Sequence, residues 1–239
     1  MKKLVVITGA SSGIGMELAR RFSAEGHPVL MLARRREVKE ELNLPNSLCR
    51  SVDVTDLEAM QSAVREAEEL YGKTDLLINC AGLMLLGYPA EQDFDEWSPM
   101  IDVNVKGVLT GTKAVLSDMI ARNEGTIINI SSIAGRKTFD NHSVYCGTKY
   151  AVHAMTESMR REVSGSNVRM IVIAPGVVET PLLSHTSNQE IKDNYNLWKQ
   201  EIDGGLEPSQ IADCAWFAYQ MPQEVCVREI VIAKTKQAD

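Results

Sequence analysis

Short apolar, β-branched runs alternate with longer stretches of helical period along the whole chain. Lys3–Thr8 reads as a buried strand, followed by a glycine-rich turn. Residues 14–25 then carry Ile14, Leu18, Ala19 and Phe22 at helical spacing. Val29–Ala33 predicts a second strand and Ser47–Val52 a third, after which Thr55 or Asp56 can cap a helix running to about Tyr71. Leu76–Asn79, Thr126–Ile130 and Val168–Ala174 predict three further strands. Helices are expected over about 93–122 and 144–164, and a last helix near 208–220 with a strand near 226–233 closes the pattern. Strands separated by helices pair in parallel through right-handed crossovers. Near-continuous apolar strands belong to a sheet covered on both faces. The expectation is an α/β fold: a single-domain, doubly wound, Rossmann-type parallel sheet of about seven strands spanning 1–239.

Composition narrows the function. With 25 Lys and Arg against 32 Asp and Glu, the net charge is −7, which disfavours a nucleic-acid partner. The five cysteines are scattered and contain no CxxC, so neither a disulfide framework nor a zinc site is expected, and no metal is assigned. Reduced thiols point to a cytoplasmic protein. After two lysines the apolar run Leu4–Ile7 is too short for a signal peptide, and no stretch reaches the roughly 18 apolar residues of a membrane span.

Two segments carry chemistry. The first turn reads Thr8-Gly9-Ala10-Ser11-Ser12-Gly13-Ile14-Gly15, between the first strand and the first helix. Glycines there permit a tight turn and close approach to a pyrophosphate, and the helix start offers free N–H groups. Ser11 and Ser12 can add hydroxyl donors; the alternative is a glycine turn without a ligand. At the end of the second strand a carboxylate would bind a free ribose, but Arg34-Arg35-Arg36 stands there, with Glu37 the first acid. Guanidinium groups suit a 2′-phosphate, so NADP is favoured over NAD; the alternative is a solvated basic start to a helix. In the second segment Tyr145 and Lys149 are four apart and share a helix face. An ammonium beside the phenol is expected to lower its pKa. Ser132 lies just after the fifth strand and can hold a substrate oxygen, while Ser131 is expected to point to the opposite face. Asn104 sits within a predicted helix, where Asn has poor propensity. His142 lies close in sequence to Tyr145 and can touch substrate, the alternative being an ordinary loop histidine, and Cys146 is expected to have no redox role.

With these residues in place, the whole chain resembles the short-chain dehydrogenase/reductase family, one-domain members with TGxxxGxG and YxxxK motifs. The resemblance implies a catalytic tetrad of Asn104, Ser132, Tyr145 and Lys149. Tyr145 would be the general acid in carbonyl reduction and the base in alcohol oxidation. Lys149 would lower the Tyr145 pKa and bind the nicotinamide ribose, Ser132 would polarise the substrate oxygen, and Asn104 would hold a relay water. Implied cofactor contacts run through Gly9, Ser11, Ser12, Gly13, Ile14 and Gly15, then Arg34, Arg35, Asp53 and Val54. They continue through Asn79, Ala81 and Gly82 to Pro175, Gly176, Val178 and Thr180, with Tyr145 and Lys149 themselves. Asp53 would contact adenine, and Pro175-Gly176 with Thr180 would hold the nicotinamide amide. Asn79-Cys80-Ala81-Gly82 matches the family's N-N-A-G except at Cys80.

The substrate is expected over the C-terminal strand ends, against Met84–Leu86, Phe139–His142 and a helical lid near 181–205 that carries Leu182, Leu183, Tyr195, Leu197 and Trp198. His185, Lys192 and Lys199 are its possible anion partners. Arg34-Arg35 and Val225–Ile232 are similar to an NADP-dependent branch acting on small carbonyls or 3-hydroxy acids. A 3-oxoacyl thioester reductase is the alternative substrate class, and a non-catalytic NADP-binding sensor or scaffold the alternative of another kind. Val103, Val105, Val108, Leu109, Val115, Leu116 and Met119 exceed what one helix face needs, which points to a homo-oligomer, a tetramer by the family resemblance.

Overall fold

The computed structural model describes residues 2–34 and 42–238. Its strands are β1 (Leu4–Thr8), β2 (Val29–Ala33), β3 (Ser47–Ser51), β4 (Thr74–Asn79), β5 (Gly125–Ile130), β6 (Val168–Pro175) and β7 (Glu229–Ile232). They form one parallel sheet in the order β3-β2-β1-β4-β5-β6-β7, with Val5 of β1 opposite Val29 of β2 and Leu76 of β4. All five residues of β1 are buried, because alternate side chains enter two different cores. Val5 and Ile7 pack with Leu18 and Phe22 of α1 (Gly13–Ala24). Leu4 and Val6 lie in the opposite core with Met60 and Val64 of α2 (Leu57–Tyr71), which Asp56 caps by accepting the Ala59 N–H. This is the doubly wound α/β architecture that the apolar runs predict.

One expected element is built differently. The stretch 93–122 comprises a 3₁₀ turn at Phe94–Glu96, α3 (Trp97–Ile101), a π-turn at Asp102–Lys106 and α4 (Gly107–Arg122). The π-turn turns Asn104 inward, where Oδ1 accepts the Leu83 N–H at 2.8 Å and Nδ2 donates to Leu83 O at 2.8 Å and Thr148 Oγ1 at 3.1 Å. These bonds to two distant segments offset the irregular helical ladder. The helix that bears Tyr145 and Lys149 is α5 (Ser143–Glu162). The strand expected at 226–233 is confined to β7, Glu229–Ile232.

Beyond β6 the chain forms a 3₁₀ turn, Pro181–His185, and α6 (Gln189–Glu201), whose N-terminus Asn188 caps through the Ile191 N–H. Ile191 enters a third apolar cluster with Met84, Leu86, Ala134 and Tyr145. The last helix, α7 (Pro208–Gln220), packs on α1 and starts in a reciprocal Glu207–Gln210 capping box. Along α4, Val108, Val115 and Met119 face inward, while Ile101 of α3, Leu109 and Ile120 stay exposed.

Candidate active site

The strand order reverses between β1 and β4, and a crevice opens there at the C-terminal ends. It is part of a cleft of about 1140 Å³ that reaches from Arg34 and Asp53 at one end to α6 at the other.

Backbone geometry shapes the first end. Thr8 Oγ1 accepts the N–H groups of Cys80 and Ala81 at 3.0 and 3.1 Å, which pins the end of β1 to the β4 loop. Gly9 has φ +69, and a Cβ there would stand 2.7 Å from Ala81 Cα. A Cβ on Gly15 would collide with the Gly9 carbonyl. Only glycine fits either position. Ser12, the N-cap of α1, makes no side-chain cap bond, and the first turn contains no acid. The helix start therefore presents N–H groups and a positive dipole end to the cleft. Arg34 is exposed on the same rim. Asp53 accepts both the N–H and hydroxyl of Thr55, and these bonds, with the Arg34 charge, hold its carboxyl below the ordinary value. Arg35 lies outside the described residues.

The second end gathers Ser132, Tyr145 and Lys149. Ser132 caps a 3₁₀ turn, its Oγ accepting the Ala134 N–H at 3.1 Å, and its hydroxyl is near enough to the Tyr145 phenol to influence its ionisation. Ser131 faces the other way, as alternation carried on past the end of β5 requires: its hydroxyl donates to Lys149 O at 3.2 Å and meets His153. Tyr145 and Lys149 are both buried, and Lys149 Nζ lies 5.6 Å from the Tyr145 ring centre while donating to Ile130 O at 3.1 Å. Burial pushes the Lys149 amine down to about 8, against a smaller opposing effect of Cys80. Burial also pushes the Tyr145 phenol up, and the Ser132 hydroxyl opposes this. The expectation that Lys149 lowers the Tyr145 pKa is thus not met in the protein by itself. Low polarity around both groups disfavours both charges.

Most of the expected contact residues converge on this cleft. Gly9, Ser11, Ser12, Gly13, Ile14 and Gly15 line it, as do Arg34, Asp53, Val54, Ala81 and Gly82. Ser132, Tyr145, Lys149, Pro175, Gly176, Val178 and Thr180 complete the wall. Asn79 does not reach it. Its side chain points along the sheet instead, with Nδ2 donating to Asn129 Oδ1 at 2.8 Å, because the last residue of β4 alternates into the α4 face. Asn104 stands one layer behind the wall. A Cβ on Gly82 would lie 3.6 Å from its Oδ1 and 3.9 Å from Lys149 Nζ.

Two contributors escaped sequence reasoning. Gln237 lines the cleft, accepts the Val177 N–H through Oε1 at 3.1 Å, and leaves its buried Nε2 without a partner among the described residues. Thr186 ties the segment before α6 to the β4 loop by accepting the Leu86 N–H at 3.1 Å. Both act across long sequence separations, where no local pattern signals them. The donor set fits an elongated anionic ligand: a glycine cradle at a helix start, a guanidinium rim and an unsatisfied amide. Among the described residues no group of His, Cys, Asp and Glu could hold a metal ion, and no helix is long and apolar enough to cross a membrane.

Comparison with known proteins agrees with this geometry. The family model described as short chain dehydrogenase matches residues 3–191. An uncharacterised oxidoreductase of Staphylococcus saprophyticus is 39% identical, over 99% of this chain and 97% of its own. A glycine betaine reductase of Emericella nidulans is 35% identical over 96% of this chain, which spans 18% of that protein. Among solved structures, the closed form of a serine dehydrogenase complexed with NADP+ superposes with a TM-score of 0.90 at 30% identity, covering 99% of this chain and 96% of that one.

Proposed function

Because the chain belongs to the short-chain dehydrogenase family, we propose that it is an NADP-dependent oxidoreductase interconverting a small carbonyl compound and its alcohol (EC 1.1.1.-). The substrate classes favoured are aldehydes, ketones and 3-hydroxy acids. One observation carries the reading: a single cleft joins a glycine-cradled anion site to the Ser132–Tyr145–Lys149 cluster. NADP-bound and NADPH-bound neighbours support the cofactor.

In this reading the α1 start and Gly9–Gly15 hold the diphosphate, and Arg34 with Arg35 holds the 2′-phosphate. Val54 lies beside Asp53 at the adenine end, and Pro175, Gly176, Val178 and Thr180 seat the nicotinamide. Gln237 braces that segment. When bound, the dinucleotide supplies or accepts the hydride. Ser132 then holds the substrate oxygen, and Tyr145 gives it a proton in reduction or removes one in oxidation. Asn104 Oδ1 accepts one N–H and keeps a second lone pair, which we assign to a water beside Gly82 that reaches Lys149. Ile101, Leu109 and Ile120 are an exposed apolar ridge that we assign to contact between copies in a homo-oligomer, a tetramer in this reading. The reading places the protein in the cytoplasm.

Fluorescence titration tests the cofactor. NADPH is expected to bind about tenfold or more tightly than NADH, and Arg34→Ala to abolish the difference. Equal binding of NADH by the wild type would leave the arginines as a solvated helix start.

Gly82→Ala tests the space beside Lys149. A methyl there makes ordinary contacts, so the variant is expected to melt within about 2 °C of wild type. Calorimetric NADPH binding should weaken about tenfold, because the methyl occupies the cleft floor. Unchanged affinity would place the cofactor elsewhere.

A further inference from the structure

His142 stands in the substrate half of the cleft, between the rings of Tyr145 and Tyr195, at centroid distances of 6.2 and 6.4 Å. Phe139 closes a third side at 5.7 Å. Its backbone is fixed: Asn141 takes a left-handed φ of +63, the Asn141 carbonyl accepts the Gly87 N–H, and the His142 carbonyl accepts the Cys146 N–H. Its ring is fixed as well. Nδ1 lies 2.6 Å from the Asp140 carbonyl, which can only accept, so in the neutral imidazole Nδ1 carries the proton. Nε2 is then a bare acceptor, with no hydrogen-bond partner among the described residues. Burial supports the neutral form by holding the His142 pKa below its ordinary value, against weaker opposing effects of Asp140.

Resting on the oxidoreductase reading above, we propose that His142 determines specificity by accepting, at Nε2, a hydrogen bond from a hydroxyl on the substrate, so that the site takes hydroxy-substituted carbonyl compounds and the corresponding diols. A neutral hydroxyl fits better than an ammonium, because three aromatic rings flank the imidazole and a charge would lose hydration beside them. The hydroxyl is not consumed. The hydroxyketone gains a hydride from NADPH at its carbonyl carbon and a proton from Tyr145 at its carbonyl oxygen, giving a diol and NADP+. Sites built to pair a substrate hydroxyl reject the analogue that lacks it, since the acceptor is left unmatched.

The test compares 1-hydroxy-2-butanone with 3-pentanone, in which a methyl replaces the hydroxyl. Wild-type protein with NADPH should favour the hydroxyketone at least about tenfold in kcat/KM. His142→Phe should bring the ratio to about one. His142→Gln, which restores an acceptor near the Nε2 position, should recover most of it. A second readout needs no turnover. Nitrogen NMR of the NADPH complex should show His142 as the Nδ1–H tautomer, assigned by its loss in His142→Gln. The Nε2 resonance should move upfield with 1,2-butanediol and stay still with 3-pentanol. A wild-type ratio near one, a ratio that survives in His142→Phe, or an Nε2 signal indifferent to the diol overturns the inference while NADPH binding stands. A protein that binds no NADPH overturns the oxidoreductase reading first, and this inference with it.

Discussion

Tyr145→Phe is expected to bind NADPH as tightly as the wild-type protein and to turn over any carbonyl substrate about 10²–10⁴-fold more slowly. The phenol oxygen is the only atom removed, and Tyr145 lies within an apolar cluster with Met84, Leu86 and Ile191 that a phenyl ring fills equally well. Burial holds the phenol protonated, and the nearby Ser132 hydroxyl opposes this more weakly. In reduction this is the required state, a neutral acid ready to release its proton as negative charge grows on the substrate oxygen. In oxidation the same burial is an obstacle, because the phenolate must form. Oxidation should therefore rise with pH across the accessible range while reduction falls or stays level. Stopped-flow single turnovers in both directions read this without interference from product release. If Tyr145→Phe retained more than about a tenth of wild-type turnover, the proton would come from another group.

Lys149→Met is expected to stabilise the cofactor-free protein at pH 7 by on the order of 3 kcal/mol. The Lys149 amine falls from its ordinary 10.5 to about 8 in the folded state because it is buried. Below pH 8 both the folded and the unfolded chains carry the charge, and the folded chain bears the full cost of burying it. Between pH 8 and 10.5 the unfolded chain binds the additional proton, so wild-type stability rises with pH through that window. The methionine variant lacks this rise, and the gap between the two proteins should close toward pH 10. The lost bond to the Ile130 carbonyl works against the gain by about 1 kcal/mol. Denaturant unfolding at pH 7 and pH 9.5 measures it, and a variant less stable than wild type at both would show the amine is well solvated. The stabilised variant should also be the poorer enzyme, as expected where a buried charge serves function rather than folding.

Lys149 and Tyr145 also show what a sequence conveys and what it withholds. Their spacing places them on one helix face, and that holds. What raises the Tyr145 pKa is burial, which depends on Met84 and Leu86, Ala134 and Ile191 arriving from three other segments. Strands β1, β2, β4, β5 and β6 were legible because each is an uninterrupted buried run, the pattern of a parallel sheet covered on both faces. β7 is short and alternates with exposed positions, so its limits were not legible. The break at Asp102–Lys106 was invisible because Leu83 and Thr148, not local residues, hold Asn104 in place. Asn79 fits a motif by position, yet its side chain serves the sheet interior. Gln237 has no motif, and it shows itself only through the carbonyl that it offers Val177.

The strand order has a further consequence for a chain made from its first residue onward. β1 is a central strand, and Val5 gains its second neighbour only when Leu76 of β4 arrives. From β4 outward each new strand adds beside the one before it. The groove for the anion, between Gly9 and Ala81, is therefore complete in residues that leave the ribosome early. Tyr145, Lys149 and the Pro175–Val177 segment follow later. A chain interrupted in the middle has the residues of the anion groove but not Tyr145 and Lys149, so the proposed reacting centre is added last to a scaffold whose residues come first.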